Sequence, residues 1–96
     1  MTRILEGKLA LVTGGGRGIG ASIARALAGA GARVIVCGRS KPELDAIAKE
    51  IGGVAMQVDL LDRKATDAAM ASAGHVDVLV NNAGIAESAS LDRTTD

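Results

Sequence analysis

The sequence predicts an α/β fold, a doubly wound parallel sheet of about four strands in the order 3-2-1-4 with three helices between them. Three observations carry this. Apolar runs at Leu9 to Val12, Arg33 to Cys37 and Val76 to Val80 lack clean polar alternation, so each reads as a strand buried on both faces. The stretches between them repeat apolar residues at helical spacing. A glycine-rich segment, Thr13 to Gly20, joins the first run to the first helical stretch, where a doubly wound sheet can hold an anion.

Each element has its own signal. After the first strand, Ile19, Ile23 and Leu27 recur every four residues, and glycine at 29 and 31 supplies a left-handed stop. The second strand leads to a helix whose stripe is Leu44, Ile47, Ala48 and Ile51. Ser40 and Glu43 form an S-x-x-E capping box at its start, with Pro42 in the first turn, where a missing N–H does no harm. A weaker strand, Val54 to Val58, follows Gly52-Gly53. The third helix runs from about Asp62 to Ala73, with Ala65, Ala69 and Met70 as a meagre apolar contribution. The fourth strand, apolar on both faces, needs a neighbour, and the third helix lies nearly alone on its side of the sheet. Right-handed crossovers then place the ligand at the switch between strands 1 and 4.

Ninety-six residues form one domain, 1–96, read as an incomplete dinucleotide-binding domain. At 48% hydrophobic and 23% charged the composition is globular, and the formal net charge of zero argues against nucleic acid or an anionic membrane as partner. Aromatic residues are absent, so no base-stacking platform can be built. Small molecules or proteins are the partners expected. Cys37 is the single cysteine and sits in an apolar run, so it reads as a buried thiol. No segment has the length of a signal peptide's apolar core or of a membrane span, which sets the expectation of a cytoplasmic protein.

The glycine loop parses two ways, as Gly16-x-Gly18-x-x-Ala21 or as Gly14-x-x-x-Gly18-x-Gly20. Either brings backbone N–H groups and the positive end of a helix dipole to a pyrophosphate. About 20 residues further on, an acid would bind the 2′-hydroxyl of NAD. Here the chain reads Cys37-Gly38-Arg39-Ser40, with no carboxylate before Glu43. Arg39 offers a planar donor to a 2′-phosphate, which favours NADP over NAD; the bland alternative is a solvated charge at a helix start. Arg17 adds a second positive group near that phosphate or faces solvent. Asp59 and Leu60 suit an adenine edge through a carboxylate and a backbone N–H, unless Asp59 or Asp62 only caps the next helix. Asn81-Asn82-Ala83-Gly84 closes the fourth strand with amides that pin backbone and small residues that admit a ribose.

These residues, in this order and spacing, resemble the short-chain dehydrogenase/reductase family, over essentially all 96 residues. The resemblance implies a Rossmann-type fold and hydride exchange between nicotinamide and a carbonyl or alcohol. It implies that Gly14, Gly15, Gly16, Arg17, Gly18, Ile19 and Gly20 hold the pyrophosphate. By the same carry-over Arg39 selects NADP, Asp59 and Leu60 hold adenine, and Asn82, Ala83 and Gly84 border the ribose. The family's catalytic Tyr-x-x-x-Lys has no counterpart, since the chain contains no tyrosine. No catalytic residue and no metal site is therefore nominated, and His75 reads as a loop residue at the far end of the sheet. The expectation is the NADP-binding N-terminal part of such an oxidoreductase, silent by itself, with small-molecule substrate and homo-oligomer formation belonging to the complete form. Two rivals remain: a stand-alone nucleotide-binding module, and an interaction module that pairs its naked fourth strand with another chain.

Overall fold

The computed structural model describes residues 4–14, 16 and 18–82. Its elements are β1 (Leu9–Thr13), α1 (Gly18–Gly29), β2 (Arg33–Gly38), α2 (Lys41–Ile51), β3 (Val54–Gln57), α3 (Arg63–Ala73) and β4 (Val78–Asn81). The four strands are parallel and ordered β3-β2-β1-β4. This is the predicted doubly wound order, with β1 paired on both sides: Leu11 stands between Ile35 of β2 and Leu79 of β4.

Alternate residues of the strands feed two cores, as the period of two requires. Ala10, Val12, Val34 and Val36 face α1 and α2, where they meet Ala21, Ala24, Leu44 and Ile47. Leu11, Ile35, Cys37 and Val58 face the other way, against half-buried Ala65, Ala69 and Met70 of α3. The second core is the thinner one: α3 has no buried residue, and Leu79 of β4 is 58% exposed on that side. The expectations of a sparsely covered α3 and an under-covered fourth strand hold among the described residues.

Four details differ from the sequence reading. Ile19, expected in the buried stripe of α1, is 65% exposed, and the helix buries Gly20, Ala21 and Ala24 instead. Small residues bring this helix close to the sheet, and its large ones, Ile23 and Leu27, pack at the flanks. The Ser40 capping box does not form. Ser40 is the N-cap of α2, but its side chain makes no cap hydrogen bond; its carbonyl accepts from Leu44 N, and Pro42 occupies the first turn. β3 ends at Gln57, although Val58 is buried and its N–H still reaches the Gly38 carbonyl at 2.8 Å. β4 begins at Val78 instead of Val76. Asp77 explains the shift, because its N–H donates to the Leu9 carbonyl at 2.8 Å while its Oδ2 accepts from Leu9 N at 2.9 Å.

Candidate functional site

The carboxyl ends of β1, β2 and β4 converge on the glycine loop. Gly14 (φ +66°) and Gly18 (φ +61°) take left-handed backbone, which favours glycine and turns the chain sharply between β1 and α1. Gly20 is required for a different reason. A Cβ there would overlap the Gly14 carbonyl and lie 2.7 Å from Asn82 Nδ2. Gly14 thus lies directly against Gly20 in the first turn of α1, a turn whose leading N–H groups have no partners within the helix. No acidic residue stands in that first turn, so nothing in it opposes an anion.

The end of β4 holds this loop from the other side. Asn82 Nδ2 donates to the Gly14 carbonyl at 3.2 Å. Thr13 Oγ1 lies 3.3 Å from the Val80 carbonyl and 3.1 Å from Asn81 Oδ1, two acceptors for its one proton. At the end of β2, Gly14 N donates to the Cys37 carbonyl at 2.7 Å. The strand ends are therefore cross-linked by hydrogen bonds at the switch point, where the order of the sheet reverses around β1.

A cavity of about 480 Å³ opens beside this junction, on the α3 side. Gly14, Arg39, Asp59 and Leu60, all predicted site residues, line it together with Met70 and Leu79. Gly16 and Arg39 meet in an adjoining cleft of about 200 Å³ whose lining also includes Ser40, Glu43 and Leu44. Arg39 is exposed at the mouth of both. Asp59 is not the cap of α3. That role falls to Asp62, whose Oδ1 accepts from Ala65 N at 3.1 Å, while Asp59 Oδ1 accepts from Leu61 N at 3.0 Å within its own turn. Ile19 stands exposed at the head of α1. Gly15, Arg17, Ala83 and Gly84 lie outside the described residues.

Met70, Leu79 and Thr66 were not foreseen as lining residues. Thr66, on the α3 wall, has its hydroxyl oxygen buried without a hydrogen-bond partner among the described residues. No sequence signal marks these three, because their place depends on how α3 lies over β1 and β4. The cavity suits a flat heterocycle: Leu60, Met70 and Leu79 supply apolar walls, and Asp59 and Arg39 supply charge at the rim.

Cys37, His75 and Asp77 are titratable groups outside this site. Cys37 is 1% exposed, and burial pushes its thiol up to about 11, which keeps it protonated and unreactive. At the opposite end of the sheet, His75 Nε2 is 2.9 Å from Asp77 Oδ1. The Leu9 N–H, helped by His75 and Lys8 and opposed by burial, holds the Asp77 carboxyl below its ordinary range. Among the described residues no group of three or more His, Cys, Asp or Glu could hold a metal ion. No described helix is long and apolar enough to cross a membrane.

The family model for short chain dehydrogenases matches residues 8–96. The chain belongs to this family. Its relatives include L-xylulose reductase of Bos taurus, 51% identical over 83 residues, which cover 85% of this chain and 34% of that protein. D-erythrulose reductase of Gallus gallus is 46% identical, over 84% of this chain and 33% of its own length. Among solved structures, a short chain dehydrogenase/reductase family protein superposes with a TM-score of 0.79 at 43% identity, covering 82% of this chain and 34% of its own. A Pseudomonas aeruginosa RhlG/NADP active-site complex reaches 0.74 at 34% identity, over 80% of this chain and 33% of that one. This member of the family thus spans about a third of the length of these relatives.

Proposed function

We propose that the chain is the NADP(H)-binding N-terminal part of a short-chain dehydrogenase/reductase, an oxidoreductase that exchanges hydride between nicotinamide and a carbonyl or alcohol substrate. The observation that carries the proposal is the convergence of Gly14, Arg39, Asp59 and Leu60 on one cavity at the switch point. The residues fit a dinucleotide. Left-handed Gly14 and Gly18 and a Gly20 without a side chain let backbone approach a pyrophosphate at the start of α1, and the cavity lined by Asp59 and Leu60 suits adenine. A bound nicotinamide dinucleotide would supply the hydride. The chain's own part is to bind and orient: Gly14 to Gly20 hold the diphosphate, Arg39 pairs with a 2′-phosphate, Asp59 and Leu60 take the adenine edge, and Asn82 to Gly84 border the ribose.

Among the described residues no tyrosine, histidine or ionised cysteine stands at this site as a general acid or base for carbonyl reduction. The chain has no tyrosine, His75 sits at the other end of the sheet, and Cys37 is buried and protonated. Binding without turnover is the expected behaviour of these 96 residues. The names L-xylulose reductase and D-erythrulose reductase support the carbonyl-reducing direction of that exchange.

Fluorescence titration of the purified chain with NADPH tests this reading, and saturable binding is expected. No saturation at millimolar NADPH rules the binding role out, and carbonyl-dependent NADPH oxidation by this chain alone overturns the assignment of binding without chemistry.

A further inference from the structure

At the end of β2 four successive carbonyls are each occupied. Cys37 accepts from Gly14 N at 2.7 Å, Gly38 from Val58 N at 2.8 Å, Arg39 from Gln57 Nε2 at 2.9 Å, and Ser40 from Leu44 N at 3.0 Å. Three of these donors are backbone groups that any residue would supply. The third is a side chain, so this bond alone depends on the identity of residue 57.

The reason lies in the register. Gly38 pairs with Gln57 at the last position of the β2–β3 ladder, and β3 stops there. One residue further along, the Arg39 carbonyl has left the sheet and has not yet entered α2, which begins at Lys41. Val58 N still reaches the Gly38 carbonyl, and the long Gln57 amide carries the contact one carbonyl further, to Arg39. This exposed bond holds the peptide plane between Arg39 and Ser40, and so restricts ψ at Arg39, the backbone torsion next to its side chain. Arg39 lines both clefts next to the glycine loop, and a third that it shares with Gln57 and Asp59.

We infer that Gln57 is a positioning residue for nucleotide choice: by holding the Arg39 carbonyl it aims the guanidinium at the 2′-phosphate. The inference rests on the reading of Arg39 given above. Exposed Arg side chains are rich in rotamers, and ordering one on binding is costly. A donor that holds the backbone leaves only the side-chain torsions to be ordered by the phosphorylated nucleotide, and matters less for the one without the phosphate.

The test is equilibrium titration of NADPH and of NADH, separately, into the 96-residue chain and into Gln57→Met, Gln57→Asn and Arg39→Ser. Methionine keeps the length without a donor; asparagine keeps the donor one methylene too short. Both Gln57 variants are expected to lose roughly two- to ten-fold in NADPH affinity, the range set by one side chain's ordering cost. Their NADH affinity and thermal midpoint should stay at wild-type values. An unchanged NADPH-to-NADH ratio in both variants overturns the positioning role, as does an equal loss for both nucleotides. In either case a ratio that collapses in Arg39→Ser leaves the Arg39 reading standing. A wild-type chain without NADPH preference overturns both.

Discussion

Asn82 Nδ2 and the Gly14 carbonyl, 68 residues apart in sequence, meet at 3.2 Å and tie the end of the last strand to the turn after the first. The bond is half-buried, and Gly14 is the pivot of the loop. Asn82→Ala is expected to lower stability by about 1 kcal/mol, the ordinary worth of such a bond. It should also weaken NADPH binding, since the loop loses its brace. Urea denaturation and a nucleotide titration of the variant check both.

Gly20→Ala should do more harm than its single methyl suggests. The added Cβ would overlap the Gly14 carbonyl, and neither backbone can withdraw cheaply. A loss of roughly 1–3 kcal/mol is expected, as for other overpacked sites. Gly29→Ala is the control. Nothing lies within 4 Å of its Cβ, and no positive φ stands in the way, so the folded state should keep or gain stability. Thermal midpoints of the pair that moved together would contradict the crowding described at Gly20.

Arg39→Asp should invert nucleotide preference in the chain. A carboxylate at the mouth of the two clefts repels a 2′-phosphate and accepts from a 2′-hydroxyl. NADPH affinity is expected to fall by at least about ten-fold, the equivalent of 1.4 kcal/mol, while NADH affinity rises. Parallel titrations decide it, and equal affinities before and after substitution would remove Arg39 from the site.

Asp77 predicts a pH dependence with a definite sign. Its carboxyl is held below the ordinary range in the folded chain, so its ionised form stabilises the fold above the unfolded pKa of about 3.9. That contribution is lost as the pH falls through the lower, folded value. Asp77→Asn keeps an acceptor for Leu9 N but cannot titrate. Urea midpoints measured from pH 7 down to pH 2 should converge for wild type and variant at the acid end.

Cys37 should resist alkylation. With its thiol raised to about 11 and 1% exposed, it is expected to react with iodoacetamide at pH 8 only when the chain unfolds. Labelling rates with and without denaturant, followed by mass, would show rapid modification of native protein if the burial were wrong.

The strand order was legible because β1, β2 and β4 carry continuous apolar runs that only a sheet covered on both faces can use. The glycine turn between β1 and α1, on which the candidate site is built, was legible too, since a strand, a glycine run and a helix follow one another in the sequence. What stayed hidden depends on close contact and not on pattern. Ile19 matched the helical period yet stands exposed, because Gly20, Ala21 and Ala24 make the tight face of α1. Ser40 and Glu43 had the spacing of a capping box, but spacing does not oblige the Ser40 hydroxyl to turn inward. The Asn82 to Gly14 and Gln57 to Arg39 bonds join residues with no shared periodicity, and only the folded sheet brings them together.

The central place of β1 also has a consequence for the order of events during synthesis. Its partner on one side, β2, follows within a helix and a turn, but Asn81, which pairs with Thr13 on the other, is made 68 residues later. At ribosomal speeds of 5–20 residues per second, that flank of the first strand waits roughly 3 to 14 s for its neighbour. Throughout that interval Leu9 to Thr13, near the start of the nascent chain, keeps one apolar strand edge open to pairing with another chain.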